Sequence, residues 1–143
     1  MKNSLSLRSS FFYLILCFSV FTSFTAWAQD EAEADSEEAI YFELSPPFVV
    51  NLKGSGKKIR FLQARIQVLA YGQEKIEKVK THDAAIRDAL IMLLSAQTKA
   101  DISTTKKKKE LQEKALKAAN GVLKTETGRE QVEGLYFTNF VTQ

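Results

Sequence analysis

The chain has 143 residues, 26% of them charged, with a formal net charge of +3. That length sets an expectation of one domain of modest size. One cysteine and one histidine exclude a zinc site built on thiolates or paired histidines, and they leave no disulfide framework.

The first ten residues hold Lys2 and Arg8 and no acid, and residues 11–24 are mostly apolar. Ala26-Trp27-Ala28 then precedes Gln29. A basic start, a short apolar core and small residues before the cut describe a secretory signal peptide over residues 1–28, cleaved between Ala28 and Gln29. The alternative is an uncleaved membrane anchor, because residues 11–28 stand at the lower edge of what spans a bilayer. Either reading exports the rest of the chain. Cys17 lies inside the apolar run and reads as a filler, so the exported part has no cysteine chemistry.

Residues 29–39 form an acidic linker. Six acids and no base fall in residues 30–38, too polar to fold and best suited to a flexible spacer. From Ala39 onward 18 Lys and Arg face 11 Asp and Glu, so the domain carries about +7. A balance of this sign suits anionic surfaces, although many of these lysines fall on helix faces that must be solvated in any case.

In Ile40 to Leu52 the prolines Pro46 and Pro47 cannot donate ladder hydrogen bonds, so they interrupt or edge a strand, and Phe48 to Leu52 reads as a short strand. Lys53 to Lys58 is a basic, glycine-containing turn that fits a hairpin. It does not fit a phosphate-cradling loop, since no helix follows it. In Ile59 to Tyr71 the residues Leu62, Ala64, Ile66, Val68 and Ala70 alternate with Gln63, Arg65, Gln67 and Leu69, the period of a long strand with one core face and the other mostly wet. Gly72 ends it.

The period then changes. Over Gln73 to Thr98 the residues Ile76, Val79, Ile86, Leu90 and Leu93 fall on one stripe, widened by Ala89 and Leu94, which predicts an amphipathic helix lying on the sheet. Ala100 to Thr105 is a break and a restart, where Ser103 or Thr104 caps a second helix and Ile102 staples its first turns. That helix is expected from Thr105 to Leu123 through Leu111, Ala115, Ala118, Ala119 and Val122. Asn120-Gly121 is a candidate terminator and Thr125 to Gly128 a loop. Val132 to Gln143, rich in aromatic and β-branched residues, reads as a last strand inserted in the sheet, with Tyr136, Phe137 and Phe140 as core. Any partner surface is then expected on helices or loops.

Lys106, Lys107, Lys108 and Lys109 crowd the first turn of the second helix, at the positive end of its dipole. They are the candidate partner-binding surface. The plainer reading is a solvated turn with screened charges. No nucleophile motif is present, and only His82 could act as a base beside a Ser or Thr. No catalytic residue, cofactor or metal site is therefore assigned. Export argues against nucleic acid as a partner, as do aromatics placed in strands.

Pro47-Phe48-Val49-Val50-Asn51-Leu52, Ile86 to Ser95 with the following Thr98, Asp101, Thr104 and Leu111, and the closing Leu135-Tyr136-Phe137-Thr138-Asn139-Phe140-Val141-Thr142-Gln143 together resemble the FliL family of flagellar basal-body-associated proteins. The resemblance covers Tyr41 to Gln143 and is most specific at the Phe-Thr-x-Phe-Val-x-Gln end. It implies an α+β fold similar to the stomatin/prohibitin-type domain over residues 40–143, a small antiparallel sheet with two amphipathic helices packed on it. It also implies ring-like homo-oligomers, a place near the inner membrane in the periplasm, and association with stator units and basal-body proteins in support of motor output. Two features depart from the family. Its members usually keep the N-terminal apolar segment as an anchor, and a Gly is frequent where Lys107 stands. The departures leave room for a soluble paralogue, or for a non-flagellar envelope-binding module of the same fold.

Overall fold

The structure, a computed structural model, describes residues 37–54 and 59–143. The expected signal peptide with its cleavage site at Ala28 and Gln29 lies outside the described residues, as does most of the acidic linker. The last linker residues are described. The Glu37 carboxylate sits 2.9 Å from Lys75 Nζ, and the Glu38 carbonyl accepts from the Gly72 N–H at 2.9 Å.

Strand β3, Phe61–Tyr71, is the spine of the fold. Its alternation puts Leu62, Ala64, Ile66, Val68 and Ala70 in the core with no exposed surface, as the period of two predicts. β1, Ala39–Glu43, and β2, Phe48–Asn51, both pair antiparallel with it, from Ala39 opposite Tyr71 to Asn51 opposite Phe61. β4, Gly134–Thr142, pairs with Leu62 to Leu69. Because β4 covers that length, β1 and β2 must share the opposite edge as one interrupted lane. The interruption is Leu44 to Pro47. Prolines cannot supply ladder donors there, but Leu44 N–H still reaches the Ile66 carbonyl at 3.0 Å. Leu52 N–H donates to the Arg60 carbonyl at 2.8 Å, closing the expected hairpin between β2 and β3.

The predicted first helix is two helices, α1 (Gln73–Thr81) and α2 (Asp83–Ser95), with a bend at His82 (φ −104°, ψ 17°). Just before the bend the Thr81 hydroxyl donates to the Glu77 carbonyl at 2.8 Å, a back-bond that bends helices. Both halves keep the predicted stripe: Ile76 and Val79 from α1, and Ile86, Leu90 and Leu94 from α2, are buried. Each such side chain contributes about 1.5–3 kcal/mol. Exposed pairs such as Lys80 with Glu77 are screened by solvent and contribute far less, so burial of this stripe holds the helices on the sheet.

A short 3-10 turn, Ala100–Ile102, leads into α3, Thr105–Thr127. Thr104 is the N-cap, its hydroxyl accepting from Lys107 N–H at 3.3 Å, and Ile102 is buried beside it. The helix does not stop at Asn120-Gly121. It continues to Thr127 and ends at Gly128, whose φ of 82° suits glycine because it lacks a Cβ. Asn120 is held in the helix interior because its amide bonds to the segment before β4, while Gly121 lies on the exposed side with open space where a Cβ would go. Leu111, Ala115, Ala119 and Leu123 join the sheet and α2 in one core. The result is an α+β fold, with an antiparallel four-stranded sheet and the helices on one face.

β4 departs from expectation in one respect. Arg65 stands opposite Asn139 and Ile66 opposite Phe137, so Thr138 is an extra, bulged residue. Phe137 and Phe140 face the core and are half-buried, while Tyr136 points to the other side. Its ring lies over Gly134, where a Cβ would come 2.7 Å from the Tyr136 hydroxyl, and its centroid is 6.2 Å from that of Tyr41. Tyr136 is thus a surface residue of the sheet, not a core one.

Candidate interaction surface

Lys106 to Lys109 are all exposed, and the helix spreads them around its axis. Lys107 Nζ turns back and donates to the Ala100 carbonyl at 2.7 Å. Lys108 Nζ lies 5.2 Å from the centroid of the Phe140 ring on β4, a cation–π distance. Two of the four therefore bind the protein itself and help fix the start of α3. Lys106 and Lys109, three residues apart, share one side of the helix and form the part of the run directed at solvent.

A shallow cleft lies between the 3-10 turn and α3, lined by Gln97, Asp101, Lys107, Glu110, Leu111 and Lys114. Asp101 is held there by its own loop. Its Oδ2 accepts from the Thr98 hydroxyl at 2.6 Å and from Thr98 N–H at 3.0 Å. These bonds, first the hydroxyl and then the backbone N–H, hold the Asp101 carboxyl below its ordinary pKa, with Lys107 and Lys114 adding to the effect. Two acids and two lysines balance in this cleft, so it has no strong field of either sign.

His82 lines a second cleft, with Glu126 Oε2 3.9 Å from its Nδ1 and Arg129 3.7 Å from Glu74. Two hydroxyls line the same cleft. Thr81 donates to the Glu77 carbonyl and Thr127 to that of Leu123 at 2.7 Å. Each hydroxyl proton is committed to a backbone oxygen, so neither is poised for transfer to the imidazole. The Asp83 Oδ1 atom is buried without a partner among the described residues.

Three features were missed in the sequence. Arg87 carries its charge on an amphipathic helix, yet it is half-buried. Its Nη1 donates to the Leu44 carbonyl at 3.0 Å and its guanidinium stacks 4.3 Å from the Phe48 ring centroid. Asn120 is a buried tie and not a terminator. The sheet face away from the helices carries Tyr41, Val49, Phe61, Tyr71, Tyr136 and Val141, all exposed, around the Arg65–Glu43 pair at 3.6 Å. The alternation of β3 hinted at this, because Phe61, Leu69 and Tyr71 occupy its supposedly wet side. The exposed apolar surface thus lies largely on the sheet, apart from Ile59 before β3 and Ile91 and Met92 on α2.

Comparison with known proteins places this architecture. The family model described as "Flagellar basal body-associated protein FliL" matches residues 41–143, almost the whole of the folded unit that begins at Glu37. A protein named "Flagellar protein FliL" from Aquifex aeolicus (strain VF5) is 33% identical over 110 residues, which cover 77% of this chain and 65% of that protein. The chain thus spans just under two thirds of that relative's length. On this match over most of its length, the chain belongs to the FliL family of flagellar basal body-associated proteins.

Proposed function

We propose that this chain is a non-enzymatic accessory protein of the flagellar motor that acts in the periplasm by binding stator units and basal-body components. In this reading the apolar segment of residues 11–28 directs export and is either removed after Ala28 or kept as an inner-membrane anchor. The domain of residues 40–143 then self-associates beside the stator and supports torque. The observation that carries the reading is the family match over residues 41–143. The hydroxyls committed to backbone carbonyls around His82 support a binding role over a catalytic one. Lys106 and Lys109 supply a cationic contact for a partner, while Lys107 and Lys108 brace the helix that presents them.

The test is capture of neighbours in motile cells, with a photo-crosslinking side chain at position 106 or 109. Recovery of stator or basal-body proteins is expected. A second reading, an envelope module that binds anionic polymers or lipids, is favoured by the positive balance of residues 39–143. It requires salt-sensitive capture of membrane or cell wall and unchanged motility. Capture of that kind alone would overturn the motor reading.

A further inference from the structure

We propose that the hairpin end of the sheet, where β2 meets β3, is a peripheral membrane contact: its exposed apolar side chains enter an anionic bilayer surface, and the cations beside them meet the lipid phosphates. The proposal rests on the export proposed above for its place in the cell, but not for its test.

Apolar residues gather at this end. Val49 and Val141 both stand opposite Gln63, on either side of β3, and Phe61 lies on the same face two residues along. All three are exposed, and Ile59 beyond them is 72% exposed, more than any other large apolar residue described.

Cations stand at the same end. Arg60 follows Ile59, and its carbonyl accepts from Leu52 N–H, which brings Lys53 to the root of the hairpin. Lys53 N–H in turn donates to the Gln97 carbonyl at 2.9 Å, which places Lys99 close by. Lys53, Arg60 and Lys99 are all exposed, and Lys106 opens α3 beyond the 3-10 turn. Two acids oppose them. Asp101 is held by Thr98, and the C-terminal carboxylate belongs to Gln143, whose backbone pairs with Phe61. The balance is positive.

Charge and apolarity together select the occupant. Lysine and arginine alone would suit any anionic polymer. Exposed isoleucine, phenylalanine and valine gain little from a solvated polymer, but they are stabilised at the boundary of headgroups and acyl chains. Each cation near an anionic bilayer strengthens attachment about fivefold. β3 has eleven residues, so this end lies about 33 Å from the one where Ala39 pairs with Tyr71. A tether of residues 29–38 covers about the same length when extended. The tip therefore reaches a bilayer that keeps residues 11–28 as an anchor.

The experiment uses the full chain with Cys17→Ser, reconstituted in vesicles of phosphatidylcholine alone or in equal parts with phosphatidylglycerol, each doped with a nitroxide-labelled lipid. A fluorophore is attached through Ile59→Cys or, for comparison, through Met92→Cys on the exposed side of α2. Quenching is expected at position 59 in the mixed vesicles only, and at position 92 in neither. Lys53→Gln with Lys99→Gln should lower the docked-to-free ratio about thirtyfold, with an unchanged melting curve as the check on folding. No quenching at position 59, equal quenching at both positions, or quenching indifferent to phosphatidylglycerol or to the two lysines would overturn the proposal. Absent quenching with lysine-dependent retention on isolated cell wall would overturn it in favour of an anionic polymer. None of these outcomes bears on motor torque, which tests the motor reading separately.

Discussion

Asn120 and Val132 are tied by two hydrogen bonds across the gap between α3 and β4. Asn120 Nδ2 donates to the Val132 carbonyl at 2.7 Å, and Val132 N–H donates to Asn120 Oδ1 at 3.0 Å. Gln131 N–H shares that oxygen at 3.2 Å. One buried amide thus satisfies three backbone groups of the segment that aims the last strand at β3. Asn120→Ala leaves all three without partners, and a buried unsatisfied group costs about 1–3 kcal/mol. Allowing for relaxation, a loss of about 2–4 kcal/mol is expected in denaturant unfolding. A loss below about 0.5 kcal/mol, the size of an ordinary surface change, would show that the tie does not hold β4.

Gly121, the next residue, makes the opposite prediction. It lies inside a helix, on the exposed side, with open space where a Cβ would go. Gly121→Ala should raise stability by about 0.5–1 kcal/mol, because alanine loses less backbone freedom on folding. An unchanged or lower midpoint in the same unfolding assay would contradict the helix drawn through this position.

This pair also shows what the sequence could and could not reveal. Asn-Gly is a strong local stop signal, and local signals are all that a linear reading weighs. The partner that overrides it lies eleven and twelve residues away on another element. The same holds at Tyr136, where the bulge at Thr138 shifts the alternation that composition alone would assume. The periodic features were legible because one face of each element must be buried whatever its neighbours are. The core face of β3, the stripe shared by α1 and α2, and the Thr104 cap are of this kind. The bend at His82 and the inward turn of Lys107 and Lys108 depend on single side-chain bonds that leave no periodic trace.

Arg87 joins α2 to the interrupted edge lane, through the Leu44 carbonyl and the Phe48 ring. Lysine keeps the charge but not the planar stacking or the fixed fork. Arg87→Lys is expected to cost about 1–2 kcal/mol, and Arg87→Ala more, since it also removes the side-chain packing. Equal stability of Arg87→Lys and the parent protein would show that neither contact contributes.

Asp101 gives the pH dependence its sign. Its carboxyl is held below the ordinary pKa by Thr98, so the folded form favours the charged carboxylate. The stabilisation is present above the unfolded pKa and is lost as pH falls through the lowered folded value. In a carbon-detected titration the Asp101 carboxyl should titrate below an unperturbed aspartate. In Thr98→Val, which lacks the hydroxyl, it should move upward. No upward movement would mean that the Thr98 hydroxyl is not the cause.

The central claim is that a FliL-family domain with this surface serves the flagellar motor. The most direct measurement is rotation of single tethered motors under high load, in cells lacking this gene and in cells with it restored. The account predicts that motor torque falls without the gene and returns with it. Equal torque in both strains, at every load applied, would contradict it.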